Sequence, residues 1–118
     1  MYNLSGIQKG IQAGHAAVEY GLKYGKTKAY KDFAKYHKTF IVLDGGGSGD
    51  MESRARELEY FGVNIACFHE PDLNNSISAI AFIVPESICG RDIGGLDDVY
   101  TKDVEYVRYL KSFKLASN

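Results

Sequence analysis

The sequence predicts an α/β fold: a mixed three- to four-stranded sheet flanked by helices, with a further helix near the C-terminal end. Three observations carry this expectation. Apolar residues recur at helical spacing over residues 7–24 and 99–115. Short apolar runs bounded by polar residues or glycine occupy residues 39–43, 63–68 and 77–84. The two kinds of segment alternate in the order α-α-β-α-β-β-α, which predicts helices packed on a sheet. With 118 residues, 45% hydrophobic and 25% charged, the chain fits one domain over residues 1–118 and is neither disordered nor fibrous. At this size about two-thirds of the unfolded surface can be buried without staples.

Each element has its own justification. Residues 7–24 lack proline and place Ile7, Ile11, Gly14, Ala17, Val18 and Leu22 at helical spacing, with Ser5 available as a cap. Residues 28–37 predict a second, basic helix. The run "TFIVL" at residues 39–43, between Lys38 and Asp44, predicts a buried strand. Residues 51–61 carry Leu58 and Phe61 on one side, charged groups elsewhere, and stop at Gly62. Residues 63–68 and "ISAIAFIV" at residues 77–84 predict two further strands. Tyr100, Val104, Tyr106, Val107, Leu110 and Phe113 form the apolar stripe of the last helix. The β-α-β portion, residues 39–68, is expected to be a right-handed parallel crossover.

Composition narrows the functional classes. Cys67 and Cys89 have neither metal-ligand spacing nor the density of a disulfide framework, and read as buried residues. No signal peptide and no apolar run of about 18 residues appears, so a reducing, cytoplasmic setting away from membranes is expected. The net charge of −1 hides an asymmetry. Residues 1–43 hold seven lysines against Glu19 and Asp32, whereas residues 44–118 hold seven basic groups against thirteen acids. Lys23, Lys26, Lys28, Lys31, Lys35 and Lys38 alternate with Tyr24, Tyr30, Phe33 and Tyr36. Lysines that meet phosphates beside aromatics that stack on bases suit a nucleic-acid surface. A solvated helix with its aromatics turned inward has the same pattern.

Four stretches bear on chemistry. "LDGGGSGD" at residues 43–50 is a glycine-rich strand-to-helix turn, but no lysine follows its last glycine, and Asp44 and Asp50 repel an anion. It reads as a mobile connector. "FHEPDLNNSISAIAF" at residues 68–82 crowds His69, Glu70, Asp72, Asn74, Asn75, Ser76 and Ser78 between two apolar runs. A plain hairpin needs only two to five turn residues, so a functional loop is expected there. His15 lies in the helical "QKGIQAGHAAVEY" and offers one donor and one acceptor when neutral. "CGRDIGGLDD" at residues 89–98 reads as a surface loop.

The segments "LSGIQKGIQAGHAAVEY", "KTFIVLD" and "CFHEPDLNNSISAIAF" together resemble the type II peptidyl-tRNA hydrolases, most closely small divergent members from phage genomes. The resemblance covers about residues 4–84. It implies a four-stranded mixed sheet flanked by helices and hydrolysis of the ester between a peptide and the 3′ ribose of tRNA, with no metal or cofactor. Gln12, His15, Ala16 and Ala17 match the family's helix motif. Glu70 takes the place of its catalytic aspartate, and Asn74 and Ser78 fall near its threonines. The extra C-terminal helix lies outside the pattern, and the acidic loop is about four residues shorter. The family's lysine, seven residues before the histidine, is replaced by Gln8, with Lys9 one step on, about 100° around a helix. Only three residues precede the motif where a first strand would lie. The sheet edge left open would be closed by residues 1–4, by the last helix, or by another subunit in a homodimer.

The roles implied are these. Glu70 or Asp72 takes a proton from water, oriented by His15 or Ser78, while Lys9, Asn74 or backbone amides hold the oxyanion. Gln8, Gln12, Asn74 and Asn75 bind substrate near the ester, and Lys23, Lys26, Lys31 and Lys35 meet the tRNA backbone. A rival from another class is a non-catalytic phage protein that sequesters a nucleotide signal in the equivalent cleft, with His15, Asn74 and Asn75 as its walls. A third is a regulatory protein that holds a partner with its acidic C-terminal helix.

Overall fold

The computed structural model describes residues 6–37, 39–41, 43–46, 48–85 and 102–115. Its elements are α1 (Gly6–Tyr24), α2 (Lys28–Asp32), α3 (Ser48–Tyr60), β1 (Ala66–Glu70), β2 (Ser76–Ala81) and α4 (Lys102–Lys111). The α/β class therefore holds, but the described sheet has two antiparallel strands, not three or four.

α1 forms where the sequence predicts it and turns a different face inward. Ala16 is completely buried and Tyr20 nearly so, whereas Ile11, Val18 and Leu22 are 53%, 64% and 77% exposed. The expected apolar stripe thus faces outward. The side turned to the sheet is small at Ala16, which lets the helix lie close, and polar at Gln12, which finds a hydrogen-bond partner there. α2 is capped by Thr27, whose hydroxyl accepts from the Tyr30 amide at 3.2 Å. It packs on the end of α1 through Tyr30, which stacks with Tyr20 at 6.1 Å. A Cβ at Gly21 would sit 2.7 Å from the Tyr30 hydroxyl, so glycine makes room for that contact. The basic helix expected over residues 28–37 continues beyond Asp32 as a π-helical turn, Phe33–His37.

Among the described residues of the predicted strand, Thr39, Phe40 and Ile41 are not in a strand. Phe40 and Ile41 are exposed, and Leu43 makes an isolated antiparallel bridge with Leu115. Beside it the Asp44 amide donates to the Lys114 carbonyl at 2.8 Å. An apolar run becomes a buried strand only when a neighbouring strand offers it a ladder, which composition does not reveal. The parallel crossover expected over residues 39–68 is accordingly absent among the described residues. The glycine-rich turn leads into α3, where Asp44 Oδ1 accepts from the Gly46 amide at 3.0 Å and Gly46 has a φ of 98°.

α3 stops at glycine as expected. Gly62, at φ 75°, donates to the Glu59 carbonyl at 2.9 Å, and Val63 donates to the Leu58 carbonyl at 3.1 Å. This pair of bonds is the Schellman closure, and Val63 packs near Leu58 to complete it. The chain reverses into β1, three residues later than the run at 63–68 suggests. β1 and β2 form a hairpin closed by the tight turn Pro71–Leu73 and by Asn74 and Asn75, both left-handed. Asparagine tolerates that conformation. The expected long functional loop is thus a five-residue hairpin connection, and His69, Glu70, Ser76 and Ser78 belong to strands.

One face of the hairpin meets α1, and the other meets α3 and α4. Leu58, Ile65 and Tyr106 centre the second interface, with Cys67, Ile80, Phe82, Phe61 and Tyr109 around them. Val104 and Val107 of α4 are almost fully buried, as their stripe predicts. Ser5, the 1–4 segment, Lys38, Val42, Cys89, the 89–98 loop and Tyr100 lie outside the described residues.

Candidate functional site

The site is assembled by α1 and the hairpin, and one irregularity in the ladder shapes it. Phe68 pairs with Ala79 and His69 with Ile77, so Ser78 is an extra residue bulged out of β2. Regular alternation would turn Ser78 away from Ala79, toward α3 and α4. The bulge re-aims it, a use of bulges found beside active sites. The Ser78 hydroxyl donates to Gln12 Oε1 at 2.9 Å and lies 3.5 Å from the Phe68 carbonyl. One turn along α1, the His15 ring stacks on Phe68 with centroids 4.6 Å apart and planes 25° from parallel. Gln12, His15, Phe68 and Ser78 are therefore in mutual reach, and the imidazole remains exposed to solvent.

α1 runs antiparallel to β1. His15 lies beside Phe68, and Lys23 Nζ donates to the Ile65 carbonyl at 3.2 Å. Glu70 shares the α1 face with Phe68 and lies two residues, about 6.6 Å, farther along the strand. That distance equals about four helical residues and brings Glu70 level with Ile11. The same geometry resolves the lysine. Residues seven apart on an α-helix differ in direction by about 20°. Position 9 therefore shares the helix face of buried Ala16, and position 8 the face of His15. Lys9 is half-buried and Gln8 exposed, as this orientation requires.

Glu70 is held by its own turn, where its Oε1 accepts from the Asp72 amide at 3.4 Å and its carbonyl from the Asn75 amide at 3.0 Å. Asp72, Asn74 and Asn75 sit exposed on the turn itself. Lys26, Lys31 and Lys35 are exposed on α2 and its flanks, against the far end of α1. Lys23 is tied to the start of β1. The predicted residues thus divide into a cluster at Gln12, His15 and Ser78, a hairpin end holding Glu70, an outer turn, and a basic surface on α2 and its flanks, with Lys9 half-buried on α1.

Phe68, which reads in the sequence only as an apolar strand residue, contributes to this site, and His69, expected in a functional loop, stands on the other face of β1. The alternation of "FHE" was the available signal, since it places Phe68 with Glu70 and sets His69 on the other face. His69 Nδ1 lies 2.9 Å from the Asn75 carbonyl, so Nδ1 carries the proton and donates, leaving Nε2 as an acceptor in the neutral ring. His69 also lines an open groove of about 490 Å³ with Glu19, Leu22, Lys23, Glu59 and Cys67. This groove runs along β1 toward the end of α1 and does not include His15 or Ser78. Burial pushes the Cys67 thiol up from its ordinary value, which keeps it protonated at neutral pH. Among the described residues no group of three His, Cys, Asp or Glu could hold a metal ion, and no helix is long and apolar enough to cross a membrane.

No family model, no curated protein and no solved structure matches the chain.

Proposed function

We propose that the protein is a metal-independent, cytoplasmic hydrolase of the peptidyl-tRNA hydrolase kind, cleaving the ester between a peptide and the 3′ ribose of tRNA. The observation that carries this reading is the convergence of α1 and the hairpin: Ser78 on Gln12 and His15 on Phe68. Glu70 takes a proton from the attacking water, and Asp72, next to it on the turn, is the alternative acid. His15 and Ser78 orient the water and the ribose, and Lys9 with Asn74 meets the oxyanion, where losing one donor costs about 2.7–4 kcal/mol of barrier. Gln8, Gln12 and Asn75 frame the ester, and Lys26, Lys31 and Lys35 meet the backbone phosphates. A homodimer, if the chain forms one, would use the exposed stripe Ile11, Val18 and Leu22.

Purified protein is expected to hydrolyse diacetyl-lysyl-tRNA, and Glu70→Gln to lose turnover while keeping its affinity for tRNA. Parental turnover in Glu70→Gln would refute the role of Glu70. One observation favours a second reading. The Ser78 hydroxyl is already committed to Gln12, as in the wall of a binding pocket. A phage binder that sequesters a nucleotide would show no turnover and would release that nucleotide on denaturation, detectable by mass spectrometry.

A further inference from the structure

The six aromatic side chains from Tyr20 to Phe40 fall into two sets. Tyr20, Tyr24, Tyr30 and Phe33 pack on one another in a chain that fastens α2 to α1. Tyr36 and Phe40 do not join that interior and are 67% and 66% exposed. Exposed rings together with lysines on one short segment are the residue types that a single-stranded nucleic-acid contact uses. Both are held in place: Phe33 meets Phe40 edge-to-face at 5.3 Å and 86°, and Lys35 Nζ lies 5.3 Å from the centre of the Tyr36 ring. Tyr36 sits in the π-helical turn, a distortion that recurs at functional positions. Lys35, beside Tyr36, and Lys31, earlier on the same segment, are exposed, and Lys28 is paired to Asp32.

We infer that Tyr36 and Phe40 form a stacking platform for unpaired nucleotides of an RNA strand, with Lys31 and Lys35 on its phosphates. Charge complementarity selects this occupant, because a polyanion with flat faces satisfies exposed rings and lysines at once. A duplex satisfies only the lysines, since its bases are already stacked. The inference rests on the proposal that the substrate is carried on RNA, and it specifies which part of that RNA the protein grips. Tyr36 and Phe40 follow α2, whose Tyr30 packs on Tyr20 of α1, and Tyr20 lies five residues, about 7.5 Å along the axis, from His15. A single strand that runs from there along α1 would lead toward His15.

The test uses the full chain and a fluorescently labelled RNA oligonucleotide with no ester, read by anisotropy, with a blunt duplex of the same length beside it. The single strand is expected to bind more tightly than the duplex. Tyr36→Ala and Phe40→Ala are each expected to weaken single-strand binding by about five- to a hundredfold, and Tyr36→Phe to restore it. Lys31→Gln should lower the slope of log K against log salt by about 0.7. Equal affinity for duplex and single strand, no RNA binding, or alanine variants that bind like the parent would each overturn the inference. It also fails if those variants change only the sedimentation of the protein, which would make the patch a protein contact. Because no ester is present, ester hydrolysis without this binding pattern would sink the platform alone, and this binding pattern without hydrolysis would sink the enzyme alone.

Discussion

Removing the hydrogen bond between Ser78 and Gln12 probes how α1 and the hairpin are joined. The two residues are 66 positions apart, and the bond is 2.9 Å long between half-buried groups. A neutral side-chain bond of this kind contributes about 0.5–1.5 kcal/mol net. Ser78→Ala leaves Gln12 an amide that water can reach, so its cost falls within that range. Gln12→Ala leaves a hydroxyl 3.5 Å from the Phe68 carbonyl, to which it can redirect its proton, so its cost falls at the lower end. The double variant should cost less than the sum of the singles, with a coupling of about 1 kcal/mol, since the two side chains touch. Urea unfolding at neutral pH measures all three variants. A coupling below about 0.3 kcal/mol, which is within the range for independent sites, would refute the bond.

Three further outcomes follow from the packing of α1 and α4. Ala16→Leu at the fully buried position of α1 should destabilise by about 1–3 kcal/mol through overpacking. Leu22→Ser on the exposed face should change urea stability by no more than about 0.5 kcal/mol, and the reverse order would mean that α1 presents its other side. The Tyr106 hydroxyl is buried without a hydrogen-bond partner among the described residues, and burial pushes its pKa up to about 12. A tyrosine raised above its unfolded value of 10 stabilises fully below pH 10, and that contribution is lost as pH rises toward 12. Tyr106→Phe keeps the ring beside Phe61 and should be as stable as the parent or about 1 kcal/mol more so at pH 7, with a smaller loss between pH 10 and 12. A clear loss of stability at pH 7 would show that the hydroxyl has a partner.

The sequence disclosed most where local chemistry decides the structure. Gly62 stops α3 because only a left-handed residue closes that helix end, and Val104 with Val107 fixes the inner face of α4. It misled where tertiary partners decide. The stripe Ile11, Val18 and Leu22 looked like the inner face of α1, but the sheet accepts Ala16 and Gln12 instead, and Thr39, Phe40 and Ile41 have the composition of a strand but are not in one. The same rotation of α1 puts position 9, not position 8, on the face of buried Ala16, which spacing alone does not reveal. The Ser78 bulge left no mark in "ISAIAF", since alternation there is regular in composition and irregular only in pairing.

The most direct test of the central claim is single-turnover hydrolysis of diacetyl-lysyl-tRNA by the parent chain, Glu70→Gln and Lys9→Met, with tRNA affinity measured in parallel. The account predicts cleavage by the parent, a loss of about 10²- to 10⁴-fold in Glu70→Gln and a comparable loss in Lys9→Met, with affinity for tRNA retained in Glu70→Gln. A folded parent chain that binds tRNA but leaves the ester intact, or variants that cleave as fast as the parent, would contradict it.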